Sequence, residues 1–228
     1  MLSAEEILVL IPAYNEERMI ATVIKKLRNE GLPWIVVIND GSTDSTKQLA
    51  LEAGAKVISH PINRGSGAAT KTGFQYALKI KAKVVVTIDA DDQHDPSDIK
   101  GLVACMEEND ADVVIGSRFL KKNKVPLSRR FFNRVANSFT FLFSWNYITD
   151  SQSGIKAINR KGLQTIHIEQ DGFGFCSEIV IQAFKHKLKL VETPVGVVYT
   201  KESIEKGQSA FVGVRTALNL LQSYLLRH

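Results

Sequence analysis

Hydrophobic and polar positions follow two alternating patterns through the first half of the chain. Short apolar runs rich in Val and Ile predict strands buried on both faces of a sheet. The longer segments between them have apolar residues three and four positions apart, which predicts amphipathic helices. The predicted strands are 7–11, 35–38, 56–59, 84–88 and 113–116, and the predicted helices are 17–29, 45–53, 68–79 and 97–108. This alternation predicts an α/β fold with a mostly parallel sheet and helices on both faces.

The pattern changes after residue 116. A helix is predicted over 129–144, strands over 154–159 and 190–198, and a helix near 177–187 between those strands. The phenylalanines of the first helix are spaced as if facing the core, namely Phe131, Phe132, Phe139, Phe141 and Phe143. Apolar residues at helical spacing over 211–226 predict a closing amphipathic helix. We therefore expect one catalytic domain over 1–210 and a C-terminal amphipathic helix over 211–228.

Composition places the chain among globular proteins of the cytoplasm. With 228 residues and 44% hydrophobic content, the chain can bury a full core. No stretch approaches the roughly 18 apolar residues of a spanning helix, and the first residues do not predict a signal peptide. Cys105 and Cys176 lack metal-ligand spacing, so two reduced thiols are expected.

Positive charge is concentrated in one segment of the chain. The net charge is only +5, but no acidic residue occurs between Asp112 and Asp150. The basic residues there are Arg118, Lys121, Lys122, Lys124, Arg129, Arg130 and Arg134. This excess predicts an anionic partner, with a solvated basic face as the alternative. Nucleic acid is not expected as that partner, because no nucleic-acid-binding module is present and the aromatics are predicted to face the core.

Acidic residues follow the predicted strand 84–88 directly. Four carboxylates occur among the seven residues 89–95, and like charges so close repel one another. A divalent cation bridging to phosphate oxygens would remove that conflict. Open α/β sheets bind ligands at the carboxyl ends of their strands, which is where Asp89 and Asp91 lie. The segment therefore predicts a metal–phosphate site, and a solvated acidic loop before Pro96 is the alternative.

The ends of the first two strands carry further candidates. Pro12 suits a strand exit because it lacks an N–H donor, and Asn15 is a candidate cap for the next helix. After the second strand, Ser42 or Thr43 is predicted to cap the following helix, with Asp44 near its positive end. Capping does not explain Asp40, whose carboxylate is expected at the same sheet edge as Asp89. There it can accept hydrogen bonds from a nucleobase or ribose.

Glycines precede the predicted helix 68–79. Gly65 and Gly67 would allow backbone N–H groups to face an anion at the helix N-terminus. The segment lacks the Gly-Lys-Ser/Thr ending of a phosphate-binding Walker loop. A tight turn without ligand is the alternative.

Taken together, segments 11–16, 39–46, 63–67 and 89–91 resemble the family 2 glycosyltransferases. Segments 91–96, 116–118, 129–130, 150–154, 172–178 and 193–195 are similar to those of the dolichyl- or polyprenyl-phosphate sugar synthases within that family. The resemblance covers roughly residues 7–209. It implies a GT-A fold, a GDP- or UDP-linked sugar donor, a Mg²⁺ or Mn²⁺ ion, and a lipid-phosphate acceptor at the membrane surface.

The resemblance also implies roles for individual residues. The nucleoside and donor would be bound by Pro12, Ala13, Tyr14, Glu16, Asp40, Lys71, Asp89 and Ala90. Asp91 would be the direct metal ligand and Gln93 a further one. Arg118 would contact the donor diphosphate. Arg130 and Arg134 would hold the acceptor phosphate, with Arg129 as a close competitor, so the expected catalytic residues are Asp91, Arg118, Arg130 and Arg134.

The reaction expected from this resemblance is inverting transfer to a polyprenyl phosphate. The alternative is inverting transfer to a hydroxyl of a lipid or cell-envelope glycan, with Asp92 or Glu178 as the base. Many relatives have an apolar residue in place of Asp92, and segments 199–203 and 207–210 also depart from the mannose synthases. We expect a cytoplasmic protein that contacts the inner face of the membrane through helix 129–144. The tail helix is expected to pack on its own domain or on a second subunit. A separate membrane partner protein is the alternative to direct contact with the membrane.

Overall fold

A seven-stranded sheet forms the centre of the protein, as seen in a computed structural model that describes residues 2–199. Its strands are β1 (Ile7–Ala13), β2 (Ile35–Asn39), β3 (Lys56–Ser59), β4 (Val84–Thr87), β5 (Val113–Ser117), β6 (Lys156–Asn159) and β7 (Leu190–Pro194). Their order across the sheet is β3-β2-β1-β4-β6-β5-β7. Only β6 runs antiparallel to its neighbours among these strands. The predicted α/β class with a mostly parallel sheet is confirmed.

Helices connect the strands and cover both faces of the sheet. They are α1 (Ile20–Asn29), α2 (Thr46–Glu52), α3 (Ser66–Lys79), α4 (Asp98–Glu108), α5 (Leu127–Ser144), α6 (Arg160–Thr165) and α7 (Phe175–Lys185), after a short 3-10 turn at Ala4–Glu6. Helix α6 was not predicted, because its six residues are too few to show a helical repeat. It begins where the Asn159 side chain accepts a hydrogen bond from the Gly162 N–H at 2.8 Å.

Two hydrophobic cores lie on opposite faces of the sheet. Val9 and Ile11 of β1 pack into the core that α1 and α4 cover. Leu8 and Leu10 pack into the other core, beneath α3 and α7. Successive strand residues point to opposite faces, so a central strand between two helical layers must be apolar at nearly every position. This explains why the central strands are continuous apolar runs in the sequence.

Helix α5 is oriented differently from the prediction. Its buried residues are polar, namely Asn133, Asn137 and Thr140. Phe131 is 62% exposed and Phe141 is 44% exposed. Phe132, Phe139 and Phe143 are half-buried, and none of the five phenylalanines belongs to either hydrophobic core, so the prediction that they face the core is wrong. The physical reason is that the helix packs on a buried polar loop, whose backbone needs hydrogen-bonding side chains rather than aromatic rings.

The direction of β6 determines what meets at the functional edge of the sheet. Because β6 is antiparallel, its first residues lie beside the carboxyl ends of β4 and β5. Segment 150–155 thereby reaches the edge that carries Asp89. Among residues 2–199, none of the helices combines the length and apolar character needed to cross a bilayer. The predicted helix 211–226 and segment 207–210 lie outside the described residues.

Candidate functional site

The carboxyl ends of β1, β2 and β4 form one edge of the sheet. Ala13 pairs with Asn39 at the ends of β1 and β2, and the Ile88 N–H donates to the Leu10 carbonyl oxygen at 3.1 Å. Residues that follow these strands in the chain are therefore neighbours in space. The edge brings together residues to which the family resemblance gives roles toward the donor or the metal, and these roles stay predictions: Pro12, Ala13, Tyr14, Glu16, Asp40, Asp89, Ala90, Asp91 and Gln93.

Negative charge is concentrated where β4 ends. Asp89 is exposed there and accepts no hydrogen bond from the residues that the structure describes. Asp91 accepts a hydrogen bond from the Gln93 N–H at 3.1 Å and another from the Gln93 side-chain amide. Burial, together with the negative charges of Asp89 and Glu16, raises the pKa of the Asp91 carboxyl to about 7. These acids are thus held close together without a cation among residues 2–199 that ion-pairs with Asp89 or Asp91.

Oxygen ligands at this edge fit a hard divalent cation. Carboxylates and side-chain amide oxygens, as in Asp91 and Gln93, are the ligands that Mg²⁺ and Mn²⁺ prefer. Over residues 2–199, no group of three or more His, Cys, Asp or Glu side chains forms a complete metal cage. Mg²⁺ is commonly held by one or two carboxylates together with substrate phosphates. The arrangement therefore fits an ion that binds together with a diphosphate.

Gly154 lies directly against the Asp89 carboxylate. A Cβ at position 154 would lie 1.8 Å from Asp89 Oδ2, a distance at which one of the two residues must move. Thr87 Oγ1 donates to the Gly154 carbonyl oxygen at 2.9 Å, which fixes this residue against the end of β4. Glycine therefore leaves room for the carboxylate where it now lies, and a side chain at position 154 would require Asp89 to move.

Asp40 is buried and held by hydrogen bonds within the protein. It is 2% exposed and accepts hydrogen bonds from the backbone N–H of Arg64 at 3.0 Å and of Gly65 at 2.7 Å. His60 Nδ1 lies 2.6 Å from Asp40 Oδ1, and His60 Nε2 lies 2.9 Å from Thr72 Oγ1. Asp40 therefore organises the loop beside the edge, and its predicted contact with the nucleoside stays a prediction.

His60 is a site residue that the sequence reasoning missed. Asn39 and Ser59 pair at the ends of the parallel strands β2 and β3. The next residue of each strand, Asp40 and His60, must then be adjacent. The two strands were predicted to end at residues 38 and 59, but the register that makes Asp40 and His60 neighbours was not predicted.

Gly65 at the start of α3 and Gly67 in its first turn allow this end of the helix to approach the loop at residues 170–172 closely. The N–H groups of Gly67 and Ala68 donate to the Asp171 carbonyl oxygen at 2.8 and 3.1 Å. A Cβ at Gly67 would lie 1.9 Å from the Gln170 carbonyl oxygen. The structure thus favours the tight turn over the anion site, since these donors are used inside the protein. Lys71 lies exposed on α3 beyond this turn.

The loops after β1 and β2 are joined by reciprocal hydrogen bonds. The Thr43 N–H donates to Asn15 Oδ1 at 2.9 Å, and the Asn15 N–H donates to Ser42 Oγ at 3.0 Å. The predicted helix caps are therefore wrong, because these side chains bridge the two loops. Helix α2 starts at Thr46, whose N–H donates to Asp44 Oδ1 at 3.0 Å. The bridge fixes the surroundings of Tyr14, which is 46% exposed at the edge.

Arg118 follows β5 and is paired with Asp150. Its Nε and Nη2 donate to the two Asp150 carboxylate oxygens at 2.7 and 2.8 Å, and its backbone N–H donates to the same group at 3.0 Å. Its Nη1 lies 3.5 Å from Tyr199 Oη. Arg130 and Arg134 lie exposed on α5, without an acidic partner among residues 2–199. Arg118 lies directly after β5, and Arg130 and Arg134 lie on α5; the contacts of all three arginines with substrate stay predictions.

The two candidate bases of the hydroxyl alternative are both used inside the protein. Asp92 forms an ion pair with Lys26 at 2.7 Å. Glu178 accepts hydrogen bonds from the backbone N–H groups of Glu169 and Gln170, each at 3.0 Å. Neither carboxylate is therefore available as a base without giving up these contacts.

Comparison with known families agrees with this geometry. The model of the family described as Glycosyl transferase family 2 matches residues 8–167. The chain belongs to glycosyl transferase family 2. This confirms the predicted family.

Among similar proteins of this family are enzymes named for lipid-phosphate acceptors. The UDP-N-acetylglucosamine–dolichyl-phosphate N-acetylglucosaminyltransferase of Methanococcus voltae is 33% identical, over 94% of this chain and 94% of that protein. The polyprenol monophosphomannose synthase of Mycolicibacterium smegmatis is 28% identical, over 92% of this chain and 83% of that protein. The predicted resemblance to polyprenyl-phosphate sugar synthases is confirmed.

Solved structures confirm the GT-A fold. Glucosyl-3-phosphoglycerate synthase of Mycobacterium tuberculosis has a TM-score of 0.77 at 22% identity, covering 100% of this chain and 85% of that one. Its complex with Mn²⁺ and UDP-glucose has a TM-score of 0.72 at 20% identity, covering 100% of this chain and 83% of that one.

Proposed function

We propose that this protein transfers a sugar from a nucleoside-diphosphate sugar to the phosphate of a polyprenyl phosphate, with inversion at the sugar carbon. The observation that carries the proposal is the meeting of two oppositely charged regions. The acidic edge of Glu16, Asp89 and Asp91 suits a cation with a diphosphate. The basic helix α5, whose segment lacks acidic residues, is hydrogen-bonded to a loop at that same edge. Similar proteins named for dolichyl and polyprenol phosphates support this acceptor class.

The donor is expected to carry uridine diphosphate, with GDP-linked sugars as the competing class. The relative from Methanococcus voltae is named for UDP-N-acetylglucosamine, and the structural neighbour was crystallised with UDP-glucose and Mn²⁺. Asp91 and Gln93 would hold Mg²⁺ or Mn²⁺, with Asp89 beside them. When bound, the ion would neutralise the charge that develops on the departing diphosphate.

A phosphate acceptor also explains why no free base is needed. The second pKa of a phosphate monoester is about 6, so the nucleophile is largely ionised at neutral pH. A phosphate oxygen of the acceptor forms the new bond to the sugar carbon. At the same time the bond between that carbon and the diphosphate oxygen breaks, and the nucleoside diphosphate leaves with the electron pair. Arg130 and Arg134 would orient the acceptor, because the guanidinium matches phosphate oxygens bidentately. Catalysis then rests on positioning and charge stabilisation.

The surface of α5 suits contact with a lipid headgroup region. Large apolar side chains are exposed along and just beyond the helix, namely Leu127, Phe131, Phe141, Leu142, Trp145 and Tyr147. Arg130 and Arg134 lie among them, which is the composition of an interfacial helix. Anionic lipids add about 1 kcal/mol of binding per basic residue near the surface. We infer a cytoplasmic protein bound peripherally to the inner face of the membrane, alone, as an oligomer or with a membrane partner.

Two experiments test this function. Purified protein with Mn²⁺ is given UDP- and GDP-sugars in turn, together with a polyprenyl phosphate or a set of sugar and lipid hydroxyl acceptors. Mass spectrometry should show a glycosylated polyprenyl phosphate, whereas transfer to hydroxyl acceptors alone would overturn the proposal. Co-sedimentation with anionic vesicles should be strong at low salt and weak at high salt. Absence of binding at low salt would rule out direct membrane contact through α5.

A further inference from the structure

Segment 149–151 is held by hydrogen bonds from α5. Asn133 Nδ2 and Asn137 Nδ2 both donate to the Thr149 carbonyl oxygen, at 2.9 and 2.7 Å. The Ser151 N–H donates to Asn137 Oδ1 at 3.0 Å. Asn137 is only 8% exposed and thus uses both ends of its amide on this loop. Helix α5 is therefore hydrogen-bonded to the backbone on both sides of Asp150, at Thr149 and at Ser151.

Strand β7 holds the same segment from another direction. Glu192 accepts hydrogen bonds from the Thr149 N–H at 2.9 Å, from Thr149 Oγ1 at 2.7 Å and from the Asp150 N–H at 3.1 Å. Ser117 Oγ, at the end of β5, lies 2.6 Å from Thr149 Oγ1. Asp150 and Ser151 are completely buried. The backbone of Asp150 is thus fixed by α5 and β7 together.

Asp150 in turn fixes Arg118. Three N–H groups of Arg118 donate to its carboxylate within 3.0 Å. A bidentate pair of this kind fixes the plane of the guanidinium as well as its position. The path from α5 to Arg118 therefore consists of Asn137, the Asp150 backbone and the Asp150 carboxylate. Each step is a short hydrogen bond or a covalent link.

We propose that Asn137 is a positioning residue, which ties α5 to Arg118 so that the acceptor-binding helix and the diphosphate-facing arginine keep a fixed separation. This inference rests on the proposed function, in which α5 presents the acceptor phosphate and Arg118 faces the donor. The two substrates must approach in line, and a displacement of about 1 Å can cost a hundredfold in rate. Asn133 adds a second donor to the same carbonyl, and the double contact explains why polar residues are buried on α5.

The variant Asn137→Ala removes both amide contacts. Thr140→Val is its matched control, because Thr140 lies on the same buried face and is completely buried. Its hydroxyl donates only within the helix, to the Ala136 carbonyl oxygen at 2.9 Å. Both variants are compared for kcat, for acceptor and donor KM, for UDP affinity and for Tm. We expect Asn137→Ala to lower kcat at least about tenfold with a much smaller loss of UDP affinity, because Arg118 keeps its pair with Asp150, and we expect Thr140→Val to keep the wild-type kcat.

A double-mutant cycle separates positioning from general destabilisation. If Asn137 acts through Arg118, adding Asn137→Ala to Arg118→Lys should lower kcat much less than it does in the wild type. Equal losses of kcat in Asn137→Ala and Thr140→Val, following their losses in Tm, would overturn the proposal. Full additivity of Asn137→Ala and Arg118→Lys would overturn it too.

The cycle is also run on Tm without substrates, so that the two proposals fail separately. If the wild type transfers no sugar to a polyprenyl phosphate, the proposed function fails. The positioning link then stands if the Tm losses of the single variants are non-additive by about 2–4 °C, the shift that roughly 1 kcal/mol of coupling gives in a chain of this size. Additive Tm losses would overturn the link whatever the enzyme's substrate.

Discussion

Replacing Asp91 by Asn should stabilise the substrate-free protein while abolishing its activity. The pKa of Asp91 is raised from an ordinary 3.8 to about 7 by burial, with Asp89 and Glu16 adding to the effect. The folded protein therefore binds this proton more tightly than the unfolded chain does. Its stability falls as the pH rises from about 4 to about 7, as the unfolded chain and then the folded protein lose the proton. Asn keeps the size of the side chain and removes the charge.

The size of the effect follows from the two pKa values. One pKa unit corresponds to about 1.4 kcal/mol, so a difference of about three units gives roughly 4 kcal/mol at pH 8. Asp91 is partly exposed, and solvent screening reduces the expected gain in unfolding free energy to about 2 kcal/mol. This corresponds to about 4–8 °C in Tm. At pH 5 the gain should be less than about half as large.

Thermal unfolding in EDTA at pH 5 and pH 8 measures this gain, and the same scans with Mn²⁺ and UDP measure metal binding. The wild type should be stabilised by Mn²⁺ with UDP, and Asp91→Asn should lose that stabilisation together with its activity. The reasoning fails if the variant is less stable than the wild type at pH 8 in EDTA. It also fails if the variant keeps the Mn²⁺-dependent rise in Tm.

Four further substitutions test three separate parts of the site. Gly154→Ala should lower kcat about a hundredfold or more, as measured by steady-state kinetics. The new Cβ would lie 1.8 Å from Asp89 Oδ2 and would force the carboxylate out of its position. His60→Ala should weaken UDP binding about tenfold, as measured by calorimetry. The substitution removes the side chain that holds Asp40, which is predicted to contact the nucleoside. Arg130→Ala and Arg134→Ala should each raise the acceptor KM about tenfold, with donor affinity unchanged, because each removes a charged contact to phosphate.

Each of these substitutions has a matched control in the same chain. Gly101→Ala adds a Cβ with nothing within 4 Å, His186→Ala removes an exposed histidine, and Lys122→Ala removes an exposed cation from the same basic segment. A control that matches its test variant would show that the effect is not specific to the site. Loss of UDP binding in the Arg130→Ala and Arg134→Ala variants would assign those residues to the donor site instead of the acceptor site.

The sequence was sufficient for the fold because burial on both faces of the sheet leaves a simple pattern. Strand β3 was predicted with its observed ends, and the other strands of the first half differ by at most two residues. The direction of β6 was not predictable in the same way, because a short apolar strand has the same pattern in either orientation. That direction is what brings Gly154 under Asp89.

Hydrogen-bond partners were the part of the site that pattern reasoning could not supply. The aromatic residues of α5 have helical spacing, but spacing does not show which face is buried when the neighbouring loop is polar. Asn133 and Asn137 are buried because Thr149 and Ser151 need partners, and those residues are distant in sequence. The pairing of Arg118 with Asp150 likewise depends on the fold.

The linkage and stereochemistry of the product test the central claim most directly. Wild-type protein is incubated with Mn²⁺, a UDP-sugar of known anomeric configuration and a polyprenyl phosphate, and the purified product is examined by phosphorus and proton NMR. A phosphodiester joining the sugar carbon to the polyprenyl phosphate, with the anomeric configuration inverted, is the predicted result. A glycoside at a hydroxyl, a diphosphate-linked sugar or a retained configuration would contradict it.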